Sequence, residues 1–352
     1  MHGGMRYMKK AIIIFLLIGT LAGSAFAELT FSGDVYIGVQ LRNAPGADES
    51  ITTDHRNYFA PEFNLSATVS RENYGARLVT RAEGTSFTIR GIYGWVDFFD
   101  NSLRLSMGRF SDGMWVIRLD SDLSELSMDG NITGFRFAYS TPLPGLSVGA
   151  VFRADRHNME EFFQQMIFGA TYVSPFFNAV FAYDLGQNVR TLFGINFPTF
   201  HFLGLPDLSL GFKLLANNLA TWDSTPALTS GSLSMYQRIG YRISWPVSVS
   251  LIASQTISGA PEIEYTTLMF GPGITYRNRL APSLTGSLRL LIDSPDHFAT
   301  TNLTLRPAIE KSLAGPALFY VQYEWRLPDV GSSNPMDRAV HTFGFGIEIR
   351  AF

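Results

Sequence analysis

Charged residues are the side chains of this sequence best placed to do chemistry, because they fall into two patterns. The segment 111–131 carries one basic residue, Arg118, among the acids Asp112, Asp120, Asp122, Glu125 and Asp129. Arginines instead recur at even spacing within alternating stretches, as Arg77 and Arg81 do. The chemistry that these two patterns offer is electrostatic, the attraction and repulsion of charged groups.

Hydrolysis is the main alternative chemistry. Asp54-His55 and Asp296-His297 are acid–histidine pairs that could in principle activate water. Adjacent residues of an extended chain point to opposite sides, so neither pair is a ready acid–base couple. The sequence has no H-E-x-x-H helix or P-loop, and we find no metal-ligand constellation in it. We therefore predict that the chain is not an enzyme and uses neither a cofactor nor a metal.

Composition excludes several other classes of protein. The absence of cysteine excludes a disulfide framework, a thiolate metal site and a cysteine nucleophile. A formal net charge of −3 gives no reason to expect nucleic acid as a partner. Charged residues make up 16% of the chain, below the roughly 25% of an average soluble protein, and aromatic residues reach 14%. A large β-rich soluble protein and a membrane protein with dispersed apolar residues both fit these values.

The N-terminal segment predicts export. Arg6, Lys9 and Lys10 precede an apolar run over 11–18, and a small-residue stretch ends in Ala25-Phe26-Ala27. A basic region, a short apolar region and an A-x-A site describe a secretory signal peptide. The apolar run is shorter than the roughly 20 residues that span a bilayer as a helix. We therefore predict a signal peptide over 1–27 and a mature domain over 28–352.

The mature chain alternates with a period of two. In 29–42 every odd position is apolar or glycine, and the stretches 58–70, 177–185, 317–326 and 341–352 alternate in a similar way. Such alternation describes a strand with one apolar and one polar face. Continued along the chain, it predicts eighteen strands, at 29–42, 58–70, 74–83, 87–99, 103–110, 132–140, 146–154, 166–173, 177–185, 190–197, 208–216, 232–244, 247–255, 265–276, 283–293, 300–310, 317–326 and 339–352.

The connections between these strands are unequal. Those after even-numbered strands are mostly tight, as at 71–73 and 100–102, whereas those after odd-numbered strands are mostly longer and more polar, as at 43–57 and 111–131. Short turns on one side and longer loops on the other are typical of outer-membrane barrels. The long turn at 198–207 and the short loop at 84–86 fit this less well, so sixteen strands remain the alternative.

A membrane barrel explains the pattern better than a soluble β-sandwich does. Many of the strands are longer than the five or six residues usual in soluble sheets, and the apolar face is rich in aromatic residues. Only helices and closed barrels satisfy all backbone groups in lipid. We therefore predict an all-β fold, a transmembrane antiparallel up-and-down β-barrel forming one domain.

If the apolar parity faces lipid, the opposite parity lines the lumen, and there basic residues outnumber acidic ones. The inward basic residues are Arg42, Arg77, Arg81, Arg90, Arg104, Arg136, Arg153, Arg190, Lys213, Arg238, Arg242, Arg289, Arg306, Arg326 and Arg350. The inward acidic residues are Asp34, Glu62, Glu83, Asp184, Asp293, Glu310, Glu324 and Glu348. This excess predicts a mild preference for anions.

The sequence resembles Gram-negative outer-membrane porins in its alternation, its C-terminal Phe352 and its hairpin over 93–109, which ends in Gly108-Arg109. Phe352 departs from the family pattern, because it lies on the other parity from the apolar face of the last strand. In porins a similar hairpin leads into a third external loop that folds back into the pore. The resemblance implies that the 111–131 segment is this loop and that its acids face a cluster of wall arginines.

Carried over by position, the wall cluster comprises Arg77, Arg81, Arg90 and Arg136, with Arg104 as a further basic residue lining the pore. In a simpler alternative, lumen arginines only pair with neighbouring carboxylates, as Arg81 with Glu83 or Arg326 with Glu324. The acidic segment would then be a solvated external loop.

The resulting prediction is an outer-membrane porin, a water-filled channel for small polar solutes or ions that the 111–131 loop constricts. Outer-membrane lipid and the barrel-assembly machinery are the partners that the resemblance implies, and homotrimers are common in the family. A structural or adhesive surface barrel is the alternative function, and an outer-membrane hydrolase is a weaker one.

Overall fold

The computed structural model describes residues 28–43, 50–52, 62–83, 86–117, 119, 123, 126–128, 132–154, 166–185, 189–200, 204–218, 231–244, 246–260, 262–277, 283–294, 300–313, 317–332 and 335–350. The predicted signal peptide, the pairs Asp54-His55 and Asp296-His297, and Phe352 lie outside these residues. No helix in the described part of the chain is long and apolar enough to cross a bilayer.

Within the described residues, nineteen strands form one sheet, and eighteen of them make the wall of a closed barrel. The wall strands are β1 (Glu28–Asn43), β2 (Glu62–Arg71), β3 (Tyr74–Glu83), β4 (Ser86–Phe98), β5 (Leu103–Arg109), β6 (Thr133–Ser140), β7 (Leu146–Arg153), β8 (Met166–Val173), β9 (Asn178–Asp184), β10 (Arg190–Phe197), β11 (Leu208–Asn217), β12 (Ser232–Ser244), β13 (Val247–Ala260), β14 (Glu262–Arg277), β15 (Leu284–Ser294), β16 (Asn302–Ser312), β17 (Ala317–Leu327) and β18 (Val340–Arg350).

Each wall strand pairs antiparallel with its neighbours in the chain, and β1 closes the barrel on β18, from Asp34 opposite Arg350 to Asn43 opposite His341. The additional strand, Ser50–Thr52, folds back on β1. The prediction of eighteen strands is therefore confirmed, and the sixteen-strand alternative is wrong. The bounds of 166–173, 190–197 and 232–244 match the predicted ones. The hairpin of β13 and β14 is longer than predicted, because the two strands continue to Ala260 and from Glu262.

The outer face is apolar as expected, and the inner face carries charged side chains together with apolar residues of β7 to β10 such as Val151 and Leu192. On β18 Phe343, Phe345 and Ile347 are exposed on the outer face, whereas Glu348 is buried on the inner one. Directly paired residues share a face of a pleated sheet, so the register carries these assignments from strand to strand. The inner face is the wall on which a channel would depend.

Strand β4 contains a bulge that changes its parity. Thr80 of β3 pairs with Ile89, but the next residue, Val79, pairs with Gly91, so Arg90 is the additional residue. Ile89 and Ile92 are both exposed on the outer face as a result. Beyond the bulge, Tyr93 and Trp95 lie on the inner face, as their contacts below show. The predicted strand had no such interruption, because a pattern of alternation does not reveal one extra residue.

The two ends of the barrel differ as predicted. The turn end carries the connections 72–73, 99–102, 141–145, 174–177, 198–207, 245–246, 278–283 and 313–316, and the loop end carries the others. The long turn at 198–207 contains an isolated bridge between Phe200 and Leu205. Phe200 stacks on Phe197, with ring centroids 5.0 Å apart. The described residues of this long turn are therefore held by a bridge and by a ring contact with β10.

Candidate pore and its internal loop

The connection between β5 and β6, residues 111–131, is called here the internal loop. Its base is closed by a backbone hydrogen bond from Phe110 N to Ile132 O, 2.8 Å long. Within the loop, Val116–Ile117 pairs antiparallel with Leu126–Ser127. The loop therefore contains a short two-stranded sheet of its own and is not only a polar connection between β5 and β6.

Apolar side chains of the internal loop are buried against the barrel wall. Trp115, Ile117 and Leu119 are almost fully buried, and they cluster with residues of the inner face, namely Val151, Ile167, Val180, Ala182 and Leu192. These wall residues lie on β7, β8, β9 and β10. The loop segment described here thus lies inside the barrel, against these strands.

A track of glycines on the inner face makes room for the loop. A Cβ atom added to Gly169 would lie 2.7 Å from the Trp115 indole, one at Gly194 would lie 2.5 Å from Ile117 Cγ2, and one at Gly211 would lie 2.5 Å from Leu119 Cδ2. At the start of the track a Cβ at Gly149 would lie 2.7 Å from Met114 Cε. Contacts closer than 3 Å do not occur between real atoms of this kind, so the four glycines let the loop approach β7, β8, β10 and β11.

Among the predicted pore arginines, Arg136 on β6 contacts the internal loop. Its guanidinium lies over the Phe110 ring, with the central carbon 4.0 Å from the ring centroid, and it donates a hydrogen bond to the backbone carbonyl of Asp112. The carboxylate of Asp112 is not the acceptor in this bond, and Asp112 is exposed. The other predicted loop acids, Asp120, Asp122, Glu125 and Asp129, lie outside the described residues.

A buried carboxylate anchors the return of the loop. Asp184 of β9 accepts hydrogen bonds from Arg153 of β7 at 2.9 Å and from Arg190 of β10 at 2.8 Å, and its side chain is 1% exposed. Arg190 also donates to the carbonyl of Met128 in the internal loop, at 3.4 Å. Because each arginine is charged and Asp184 is shielded from water, these are the stronger kind of hydrogen bond. The site prediction did not include this triad, although the three residues share one parity on nearby strands.

Arg104 lies at the turn-end part of the wall and is engaged there. Its Nε and Nη2 donate to the two carboxylate oxygens of Asp97, at 2.7 and 2.8 Å, and the guanidinium lies 5.2 Å from the Trp95 ring centroid. The β4 bulge places Asp97 on the inner face. Strict alternation along β4 would have placed it on the outer face, so the sequence did not predict its pair with Arg104. Trp95 in turn covers Gly75, whose Cβ would lie 2.3 Å from the indole.

Arg77 and Arg81 lie on the inner face of β3, and both are half-buried. Arg77 Nη2 donates to Ser66 Oγ at 3.2 Å. Three inter-strand spacings, about 14 Å, separate β3 from the strand that carries Arg136. The rings of Tyr93 and Phe110 lie between them and contact each other at a tilt of 47°, with centroids 5.1 Å apart. The structure therefore places these arginines on one wall without bringing them into a single contact cluster.

Another inward pair differs from the one considered in the sequence. Glu324 of β17 accepts hydrogen bonds from Arg306 of β16, at 3.0 Å from Nε and 2.8 Å from Nη2. The predicted pair of Arg326 with Glu324 is therefore wrong, because Glu324 binds Arg306 instead. The residue of β16 opposite Arg326 is Thr304, and Arg306 lies two residues further along that strand. The general expectation that some lumen arginines brace the wall by pairing is confirmed.

The described residues hold no group of three or more histidine, aspartate or glutamate side chains that could bind a metal ion. Of the histidines, only His341 lies within the described part, and its Nδ1 is 2.6 Å from the hydroxyl of Tyr323. This contact is exposed, on the outer face of β17 and β18.

No protein-family model matches the sequence, and no curated protein matches it either. The fold, in contrast, matches solved structures along almost its whole length. OprD of Pseudomonas aeruginosa aligns with a TM-score of 0.59 and 11% identity over 91% of this chain and 94% of that one. OccAB3 of Acinetobacter baumannii aligns with a TM-score of 0.60 and 10% identity over 92% and 99%.

The anion-selective porin of Comamonas acidovorans aligns with a TM-score of 0.51 and 12% identity, over 93% of this chain and all of that one. The chain therefore has the fold of the bacterial outer-membrane porins. At these identities the likeness concerns the fold, and the function must be argued from the residues described above.

Proposed function

We propose that this protein is an outer-membrane porin, a water-filled channel through which small polar solutes and ions diffuse. The observation that carries the proposal is the division of the wall: exposed apolar side chains outside, charged side chains inside, and an internal loop packed against the inner face. A closed barrel with an apolar exterior satisfies the backbone in lipid, and a charged interior requires water.

In this proposal the internal loop narrows the channel on one side. Its apolar side chains occupy the inner face of β7 to β11, and the same cluster includes Ile252 of β13 and Leu291 of β15. The aqueous path then follows the remaining wall, β16 to β18 and β1 to β4. That wall carries Arg306, Glu324, Asp34, Arg77 and Arg81 on its inner face.

A mild anion preference is part of the proposal. Arg77 and Arg81 lie on the wall that faces the path, and the full inner register carries more basic than acidic residues. Charges that line a constriction select ions at short range, where water screens them least. The turn end would face the periplasm, since short turns lie on that side in barrels of this type.

Planar-bilayer recording of the refolded protein tests the proposal. We expect stable single-channel steps in potassium chloride and a reversal potential on the anion side in a salt gradient. A difference in gel mobility between unheated and boiled samples would show that the barrel is folded. A folded barrel that gives no conductance would contradict the pore. Clear cation preference would contradict the selectivity alone.

A further inference from the structure

A cavity of ≈ 720 Å³ lies in the inner wall at the turn end, bordered by β10 to β15 and by the turn at 198–207. Four arginines line it, and it is called here the arginine basin. Arg238 and Arg242 come from β12, Arg277 from β14 and Arg289 from β15. The site described above does not use any of these residues.

The floor of the arginine basin is flat because two of its residues are glycines. Gly240, Ser250 and Gly273 are directly paired across β12, β13 and β14, so they form one row of the inner face. A Cβ at Gly273 would lie 2.8 Å from Arg289 Nε, and one at Gly240 would lie 3.5 Å from Arg238 Nη2. The two guanidinium groups therefore lie low over the row, one on each side of Ser250.

Polar groups of the basin suit an anion. The hydroxyl groups of Ser250 and Thr275 also lie on the lining, together with that of Ser209, which donates to the Gly240 carbonyl at 3.3 Å. Asp207 is the one acidic residue among the described lining residues, and it lies 3.8 Å from Arg242, with both side chains well exposed to solvent. Among the described lining residues, basic side chains therefore outnumber acidic ones by four to one. Guanidinium groups offer paired donors that match the oxygens of carboxylates and phosphates.

The arginine basin borders the internal loop on its loop-end side. Ile252 and Leu291, which belong to the apolar cluster of the loop, lie two residues further along the inner faces of β13 and β15 than Ser250 and Arg289. Leu119 of the loop lies over Gly211, which is directly paired with Arg238, so the loop reaches the edge of the basin. A solute held in the basin would be on the turn side of the constriction.

We propose that the arginine basin binds a small solute that carries two or more negative charges on oxygen, either a phosphate or a polycarboxylate. This inference rests on the proposed function, because the solute would reach the basin through the channel.

Titration calorimetry of the whole chain in detergent tests the inference, with citrate, inorganic phosphate and acetate as probes at low ionic strength. We expect saturable binding of citrate or phosphate and none of acetate. The stronger of the two bound probes identifies the polycarboxylate or the phosphorylated class. The double variant R238Q/R289Q should lower the affinity at least tenfold, because it removes both guanidinium groups that flank Ser250.

The matched control is R71Q/K311Q, which also removes two positive charges from the turn end. Arg71 and Lys311 are exposed there, and neither lines the basin. Equal loss of affinity in both double variants, or equal affinity of R238Q/R289Q and wild type, would overturn the proposal. If R238Q/R289Q does not fold, S250D provides the same test, because it places a carboxylate between two intact guanidinium groups.

The two proposals fail in distinguishable ways. Single-channel conductance with no saturable binding of either probe leaves the porin standing and removes the basin. Binding that R238Q/R289Q abolishes, in a barrel without conductance, removes the channel and leaves an anion site.

Discussion

Arg190 holds Asp184 through two of its nitrogen atoms, with Nη2 at 2.8 Å and Nε at 3.3 Å from the same carboxylate oxygen. The same guanidinium reaches the Met128 carbonyl of the internal loop. A buried charge pair on the wall is thereby coupled to the position of the loop, and this coupling makes the pore testable by stability measurements.

The substitution D184N should destabilise the barrel by about 2–3 kcal/mol, because it leaves Arg153 and Arg190 facing each other without the carboxylate that both contact. We expect a lower temperature for conversion of the folded gel band, together with noisier single-channel current as the loop loosens. The control R338Q removes an exposed pair with Asp329, 3.5 Å apart, and should change stability by less than about 1 kcal/mol. Equal effects of D184N and R338Q would contradict the anchoring role.

The glycine track predicts coupling between the loop and the wall. G194A should cost about 1–2 kcal/mol, because its new methyl group would lie 2.5 Å from Ile117 Cγ2 and 3.1 Å from Val180 Cγ1. I117A should cost about 2 kcal/mol through the cavity it leaves. The double variant should cost about 1 kcal/mol less than the sum, as urea unfolding in detergent would measure. The control G286A meets nothing within 4 Å and should be neutral. Strict additivity would contradict direct contact.

A disulfide can test whether the loop rests on the wall while the channel conducts. The chain contains no cysteine, so an introduced pair has no competitor. A Cβ at Gly194 lies 2.5 Å from Ile117 Cγ2, which places the two Cβ atoms within about 4 Å, inside the range of a disulfide. I117C/G194C should oxidise fully and keep its conductance, whereas I117C/G286C should not form the bridge. Loss of current on oxidation would show that the conducting loop lies elsewhere.

Removal of wall arginines should weaken anion preference. In R77Q/R81Q we expect the ratio of anion to cation permeability to fall roughly twofold, because two positive charges leave the inner face beside the proposed path. Reversal potentials in a salt gradient measure this ratio. R71Q/K311Q removes the same charge outside the lumen and should leave the ratio unchanged. An unchanged ratio in R77Q/R81Q would place the path away from β3.

The substitution E324Q should change the ratio of anion to cation permeability in the opposite direction. This change removes a negative charge from the inner wall and releases the Arg306 guanidinium that Glu324 holds at 2.8 Å. The anion-to-cation ratio should therefore rise, by roughly as much as one removed arginine lowers it. A fall in the ratio, measured by the same reversal potentials, would contradict a path along β16 and β17.

The strands could be predicted from the sequence because each one lies between lipid and water. That environment imposes a period of two on every wall strand, so even the interrupted strand β4 was found, with its ends within one residue of the observed bounds. Turn positions followed from the same alternation. Which side chains of β4 face inward beyond Arg90 could not be predicted, since a bulge leaves the composition of the strand unchanged.

Most of the site was harder to predict, for a physical reason. The acids of the 111–131 segment were the predicted contacts, but the described contacts of the loop are made by apolar side chains such as Trp115, Ile117 and Leu119 and by the backbone carbonyls of Asp112 and Met128. Their own two-residue spacing was a signal of a buried face. Glycines at inward positions of β7, β8, β10 and β11 were a second signal. Neither pattern states what its partner is, because packing between distant segments leaves no local period.

The bulge at Arg90 also limits how this protein can tolerate length changes. Deleting that one residue would restore simple alternation through β4 and exchange the environments of all side chains from Gly91 to Phe98. Tyr93 and Trp95 would then enter the lipid, while Ile92 and Val96 would meet water. A single-residue insertion or deletion within a wall strand should therefore be accepted only where a bulge absorbs it, as at Arg90, whereas loop-end connections that are not packed against the wall can change by single residues.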